Sequence, residues 1–507
     1  MVQRCTETST LSSSHISRKP ALYARNRRVV LAPWRLGVSQ NRQAPILLLA
    51  LIVLLLAACS PVAPPWQRDP GSTVGAAGLG DSLYPRLGNG GYDIQHYDLT
   101  LAIDPAAGAV EGVATLTAVA TQPLTRFNVD LAGLTVDAVT VAGAPAAFTR
   151  RGHELAITPA AALPAGAAFT ATVAYRGIPA PIADPSVGFS RIGWQQEEDT
   201  IFVINEPSGA MTWFPGNNHP RDKATFTFRI TAPEPFVVAA NGVETEVIDN
   251  GATRTYVWEM RQPMATYLAA IYLGDFEIVT ASGPDGEPIR HYFPPELEAS
   301  ERRAFDRVPA MMAFYSELLD APYPFEVYGG VVAPLELGYA MENQTMNLFG
   351  LDSADELTIA HELMHEWFGN HVTLGDWQDI WLNEGFAFYL PMMWAESVDM
   401  LDTDAMALSQ WRMLDIYGSI GPATVPPEEL FGSSVYVRGG LTLHALRRTV
   451  GDELFREILR EYYRRHAGGN ATTADFIAAA NAVSGQDLTG FFDAWLYQEE
   501  LPPLPGS

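Results

Sequence analysis

Two histidines four residues apart, His361 and His365, enclose Glu362 in the run His-Glu-Leu-Met-His, and Glu384 follows after eighteen intervening residues. On a helix, positions i and i+4 lie one above the other, so both imidazoles can reach a single ion. Glu362 sits about 100° around the same helix, close enough to touch a water on that ion without ligating it. The interval to Glu384 leaves room for a loop and a second helix that delivers a third ligand. Three protein ligands leave a fourth zinc position open, the arrangement of catalytic rather than structural sites. The plainer alternative is a helix with two ordinary half-buried histidines; the Asn383-Glu384-Gly385 run downstream weighs against it. The expectation is one Zn2+ per chain on His361, His365 and Glu384, with Glu362 as general base.

The pattern around these residues predicts how they are carried. From Tyr92 to about 285 apolar residues alternate with polar or small ones, as at Leu99, Leu101 and Ile103, between Gly, Pro and Asp turn signals. That period of two predicts an all-β domain of extended antiparallel sheets. Near residue 296 the period becomes helical: Phe305, Val308, Met312, Tyr315 and Leu319 share one face, with Pro309 marking a kink or a helix boundary. Helices are expected at 354–368 for the histidine pair, at 383–396 for Glu384, and then at 441–449 and 452–465. Thr472 and Asp475 give an N-cap signal for another.

The chain has 507 residues, 48% hydrophobic and 18% charged, with a net charge of −26. Its first 58 residues hold eight Lys and Arg and one Glu, so the rest, with 24 basic and 57 acidic residues, carries −33. Such a polyanion is not built for nucleic acid. It fits a soluble acidic surface, or a cleft favouring substrates with a free amino group.

Residues 1–58 read as a signal peptide: basic residues precede the apolar run Ile46–Ala58, which is too short to span a bilayer. Leu56-Ala57-Ala58-Cys59 resembles a bacterial lipobox, which implies cleavage before Cys59 and its lipidation; a plain secretory signal is the alternative. The other cysteine, Cys5, lies in the removed part, so no disulfide is expected. Residues 59–91, rich in Pro and Gly, read as a flexible tether. Localisation in the cell envelope outside the cytoplasm follows, with the membrane as a partner through Cys59 and no obligate protein partner.

With these residues in view, the chain resembles the aminopeptidase N family of gluzincin zinc metallopeptidases over roughly residues 92–500. The strongest likeness is His361–Asn370 with Trp381–Ala387. Gly338-Tyr339-Ala340-Met341-Glu342-Asn343 is similar to the family's exopeptidase motif. Val435-Tyr436-Val437-Arg438-Gly439 resembles the segment of its catalytic tyrosine. Trp213-Phe214-Pro215 through Phe226 and the opening Tyr92–Leu99 resemble landmarks of its β domain.

The resemblance implies a multidomain α+β architecture: a β-sandwich or saddle domain at 92–285, then a thermolysin-like, mainly helical catalytic domain at 286–507. It implies that Glu342 binds the substrate α-amine, that Ala340 and Met341 hold the peptide as an added strand, and that Tyr436 is catalytic. Glu206 matches a second amine ligand. Taken singly, Tyr436 could pack a helix start and Glu342 could pair with an Arg of the fold; Asp376 and Asp379 are candidates to accept from the ligand histidines' other ring N–H and His371 for a fourth ligand, against a plain reading of all three as loop residues.

Three departures stand out. Gly338 is one step early, with Tyr339 at the usual glycine; Ile204 replaces a usual Gln before Glu206; and the helical C-terminal domain of larger members is not expected, which implies a more open cleft. The function expected is zinc-dependent removal of N-terminal residues from peptides. A zinc endopeptidase and a non-catalytic envelope scaffold lipoprotein are the alternatives.

Overall fold

The computed structural model describes residues 72–188 and 190–506. The signal peptide expected at 1–58 and the expected lipidation of Cys59 fall outside the described residues. Tyr92–Asp104 is the spine of an eight-stranded sheet: Tyr97, Leu99, Leu101 and Ile103 point into the core while Asp98, Thr100 and Ala102 face out, as strict alternation dictates. It pairs antiparallel with Ala109–Ala120 on one side.

On the other side it runs parallel to Lys223–Pro233, placing Leu99 opposite Phe228 and Leu101 opposite Ile230. This parallel pair departs from the expected all-antiparallel pattern; its strands are far apart in sequence, so no hairpin constrains their direction. A three-stranded sheet of Phe127–Asp130, Glu154–Thr158 and Ala147–Arg151 and a four-stranded sheet complete the β region. The four-stranded sheet contains Thr200–Ile204, which leads directly into Glu206.

The catalytic part begins earlier than the change of periodicity suggests. Glu277–Ser282, placed with the β domain by its alternation, pairs with Pro288–Phe293 in a five-stranded mixed sheet that continues through Tyr328–Val332 and Asn347–Phe349 to Ala340–Met341. Hydropathy alternation marks a strand but not the sheet it joins. Helices follow at Val308–Leu319, Glu356–His365, Trp381–Ser397, Thr403–Tyr417, Gly439–Val450, Asp452–His466, Thr473–Ser484 and Thr489–Leu496. Pro309 lies in the first turn of its helix rather than kinking it, where its missing N–H costs nothing. Thr472 and Asp475 form the expected capping box.

Residues 72–91 correct the tether expectation, because they pack into the fold. Asp81 Oδ1 accepts from Leu83 N and Tyr84 N, and Oδ2 accepts from Trp377 N and pairs with His219 Nε2 at 3.0 Å. Tyr84 donates to Asp184 at 2.7 Å. Glycine serves close approach here, not freedom: Gly88 has φ +67, and a Cβ on it would lie 2.6 Å from His219 Cβ.

This segment also helps join the two parts. Ser82 donates to Asp376 through its N–H and hydroxyl, Arg221 donates to Gly375 O, and Lys223 Nζ donates to Asn370 O and His371 O at 2.9 and 3.1 Å. The β domain thereby grips the loop that follows the histidine helix.

Candidate active site

The carboxylate of Asp355 opens the helix Glu356–His365, accepting from Leu357 N and Thr358 N at 2.9 and 3.2 Å. Ile359, Ala360, Leu363 and Met364 are buried in the core, and His361, Glu362 and His365 line a cavity of about 360 Å³. The helix Trp381–Ser397 brings Glu384 in on its first turn.

His361 Nε2 and His365 Nε2 stand 3.1 Å apart, and Glu384 Oε2 is 3.4 and 3.5 Å from them. Ligands at about 2.0–2.1 Å from a tetrahedral zinc lie roughly 3.3–3.4 Å from one another. The triangle therefore fits the ion. Glu384 Oε2 is buried with no hydrogen-bond partner, as an oxygen reserved for a metal would be. Electrostatics agree: burial alone would push His365 down, yet Glu384, Glu342 and Glu362 lift it to about 10. Burial would raise Glu384, yet the two imidazoles bring it down to about 2. The hole is anionic and calls for positive charge. His365 Nδ1 faces the Phe368 carbonyl at 3.2 Å, which orients the ring.

Glu362 is buried beside this triangle. Its carboxyl is raised well above the usual range, first by burial and then by Glu342, Glu384 and Glu366. Glu206, Glu342 and Glu384 each offer a carboxylate oxygen within 4.8 Å of one another. Oε1 of Glu206 and of Glu342 is buried without a partner. Burial raises both carboxyls, with each further raised by neighbouring carboxylates.

Glu342 is fixed from behind. Asn370 Nδ2 donates to its carbonyl at 2.8 Å and to Glu366, and Glu366 Oε1 accepts from Thr345 N. Ala340 and Met341 form the edge strand of the five-stranded sheet and line the same cavity. Tyr339, 41% exposed, also lines the cavity and follows Gly338 at φ +74.

Tyr436 sits in a π-helical turn, Ser434–Arg438, a kind of irregularity frequent at functional sites. Its ring lies parallel to that of His361, 6.0 Å between centroids. Its hydroxyl has no hydrogen-bond partner among the described residues. Arg438, fully buried, donates to the carbonyls of Trp495, Ala494, Gln498, Glu499 and Glu500. It pins that turn to the end of the last helix.

The structure thus brings together His361, His365, Glu384, Glu362, Glu342, Glu206, Ala340, Met341 and Tyr436 around one cavity. It does not bring in three candidates. His371 bonds Tyr463 Oη at 2.7 Å, Asp376 bonds Ser82 and Arg221, and Asp379 caps the helix at Thr473. Sequence reasoning missed Ser186, Val187, Ser190, Arg191 and Ile192 of the β domain, which line the cavity, and Phe431, which lines it too. Nothing in their local pattern carries chemistry; only the fold delivers them.

Comparison with known proteins agrees with this geometry. Residues 303–495 match the Peptidase family M1 domain, and residues 94–268 match the Peptidase M1 N-terminal domain. A crystal structure of M1 zinc metallopeptidase from Deinococcus radiodurans superposes with a TM-score of 0.80 at 33% identity, covering 84% of this chain and 98% of that one. A mutant from the same organism, bound to a Tyr-Ser-Ala substrate, matches equally, at 84% and 99% coverage. Aminopeptidase M1-C of Oryza sativa subsp. japonica is 29% identical over 63% of this chain and 40% of its own length. Human glutamyl aminopeptidase is 28% identical over 63% and 36%. The chain spans half or less of the length of these curated relatives.

Proposed function

The chain belongs to peptidase family M1, and we propose that it is a zinc aminopeptidase that removes N-terminal residues from peptides. The observation that carries this reading is the pair of unpartnered, buried oxygens on Glu206 and Glu342 beside the ligand triangle. Buried carboxylates without a cation are costly. A substrate α-ammonium supplies one, and a peptide interior does not.

His361, His365 and Glu384 would hold the zinc, which supplies a Lewis acid for the scissile carbonyl and acidifies a water. Glu362 takes the water's proton on its carboxylate and returns it to the leaving amine. Tyr436 Oη donates to the oxygen on which negative charge develops. Ala340 and Met341 pair the substrate main chain as a further strand on an exposed sheet edge. Ile204 and Met341 make an apolar wall for the first side chain, in a cavity large enough for aromatic residues. Structures of M1 zinc metallopeptidase mutants that resemble this chain were captured with L-arginine, L-tryptophan and a Tyr-Ser-Ala substrate, which supports a roomy pocket.

The lipid anchor at Cys59 and a place in the cell envelope are part of the same proposal, supported by the lipobox-like run Leu56–Cys59. Rates on aminoacyl p-nitroanilides and their N-acetylated counterparts test the activity. A preference for free amines on the order of 10³-fold or more is expected, since blocking leaves buried carboxylates unpaired. Cleavage of blocked peptides would make the protein an endopeptidase, and zinc-independent silence on all of them would make it a scaffold.

A further inference from the structure

A second group of ligand-type side chains lies in the β domain, and none of them lines the catalytic cavity. Asp130 ends the strand Phe127–Asp130 and stands opposite Glu154, which opens the strand Glu154–Thr158. His153 precedes it, delivered by the tight turn at Gly152, φ +63. Two carboxylates directly across an antiparallel pair repel each other unless something offsets their charge.

Among the described residues only Arg86 offsets it, from a distance and in part. His153 Nε2 is 3.8 Å from Asp130 Oδ1 and 3.9 Å from Glu154 Oε1, too far for hydrogen bonds. All three atoms are buried without a partner. Arg86 is felt electrostatically by His153 and Glu154, but it makes no ion pair with either carboxylate among the described residues.

Each carboxylate has one oxygen anchored and one presented. Asp130 Oδ2 accepts from Asn89 Nδ2 and Asn218 N at 3.2 and 3.1 Å. Glu154 Oε2 accepts from Asn128 Nδ2 at 2.9 Å. Asp130 is fully buried; its free Oδ1 therefore meets the site and not solvent. Asn128 Oδ1 and Asn89 Oδ1 are also buried and unpartnered. The separations are long for protons and about half an ångström wider than the roughly 3.3–3.4 Å of an occupied tetrahedral zinc site, so the three side chains would close by that much around a shared ion. Burial, followed by Glu154, lifts the Asp130 carboxyl well above its usual range, and burial holds the His153 ring down, in the neutral form that ligates.

We propose that Asp130, His153 and Glu154 bind one divalent first-row transition cation, as a structural site separate from the catalytic triangle. An imidazole with two carboxylates suits zinc or manganese, and the ring nitrogen disfavours calcium and magnesium. The His153 and Glu154 side chains are 28% and 18% exposed, which gives the ion an entry path.

Its role follows from what Asp130 holds. Asp130 and Gly216 exchange main-chain bonds at 2.8 and 3.1 Å, and Asn218 N binds the Asp130 carboxylate. The same loop runs on to Arg221 and Lys223, which grip the loop after the histidine helix. The ion braces the base of that grip.

Metal counting on the full chain tests this, after chelator treatment and dialysis against micromolar free Zn2+. Wild type should hold two equivalents, and His361→Ala/His365→Ala should keep one. Adding His153→Ala, or separately Glu154→Gln, should take that variant to none. His153→Ala alone should fall from two equivalents to one, which decides the matter even if the double-histidine variant does not fold. Wild type holding a single equivalent that His153→Ala leaves in place would overturn the site. A second equivalent taken up as Ca2+ and refused as Zn2+ would overturn the cation class.

Discussion

Gly385 and Gly439 meet backbone to backbone: a Cβ on Gly385 would lie 2.8 Å from the carbonyl carbon of Gly439, and one on Gly439 would lie 3.3 Å from Gly385 Cα. Gly385 follows the ligand Glu384, and Gly439 follows the π-helical turn that carries Tyr436. The two motifs hold glycine at these positions because their helices touch there, and the contact sets the distance from Tyr436 to the metal ligands. Gly385→Ala must therefore push the turn outward. A fall in kcat of about 10²-fold is expected from a displacement near 1 Å, with a modest loss of stability. An unchanged kcat alongside a lowered Tm would show that the contact serves packing alone.

That contact also shows how far the sequence could be read. The spacing of His361, His365 and Glu384 is a local property of two helices, so the triangle was legible from it. Glu342 and Tyr436 were legible only through family resemblance, since each reaches the cavity by a tertiary route. The wall made by Ser186, Val187, Ser190, Arg191 and Ile192 was not legible, because these are ordinary loop residues until the β domain folds against the cleft. Residues 72–91 misled for a related reason. Pro and Gly counts describe an isolated chain, whereas Asp81 and Gly88 matter through His219 and Trp377, far along the sequence.

Glu362→Gln removes the proton acceptor but leaves the ligands, and the amide is nearly the same size. Turnover should drop by about 10²–10⁴-fold while zinc content by elemental analysis stays at the wild-type level. Near-normal rates would remove Glu362 from the base role.

Glu342→Ala takes away one of the two carboxylates that await the α-ammonium. A charge-assisted bond worth about 1.5–3 kcal/mol corresponds to a rise in KM of roughly 10–150-fold for free-amine substrates. Selectivity against N-acetylated substrates should shrink by a similar factor. Retained selectivity would place the amine elsewhere.

Tyr436→Phe deletes a hydroxyl that has no structural partner among the described residues, so the fold should not respond. Its loss should be confined to the transition state: kcat lower by about 10²–10³-fold, with KM within a few-fold of wild type. A matched rise in KM with kcat unchanged would mean that the hydroxyl only binds substrate.

Lys223 gives a pH test of the joint between the two parts. Its residue is partly exposed, but its Nζ is enclosed between Asn370 O and His371 O, and burial lowers its pKa from 10.5 to about 7. Below about pH 7 the ammonium is charged in both folded and unfolded chains, and the full cost of enclosing it is present. Between about 7 and 10.5 the unfolded chain keeps a proton that the folded chain has released, so this residue's contribution to stability rises with pH, by at most about 1.4 kcal/mol per unit. Lys223→Met removes the titration. Urea unfolding at pH 7, 8 and 9 should therefore show wild type gaining on the variant at each step. Parallel curves would mean that Lys223 titrates as it does in the unfolded chain, and that its two carbonyl partners hold a charged ammonium.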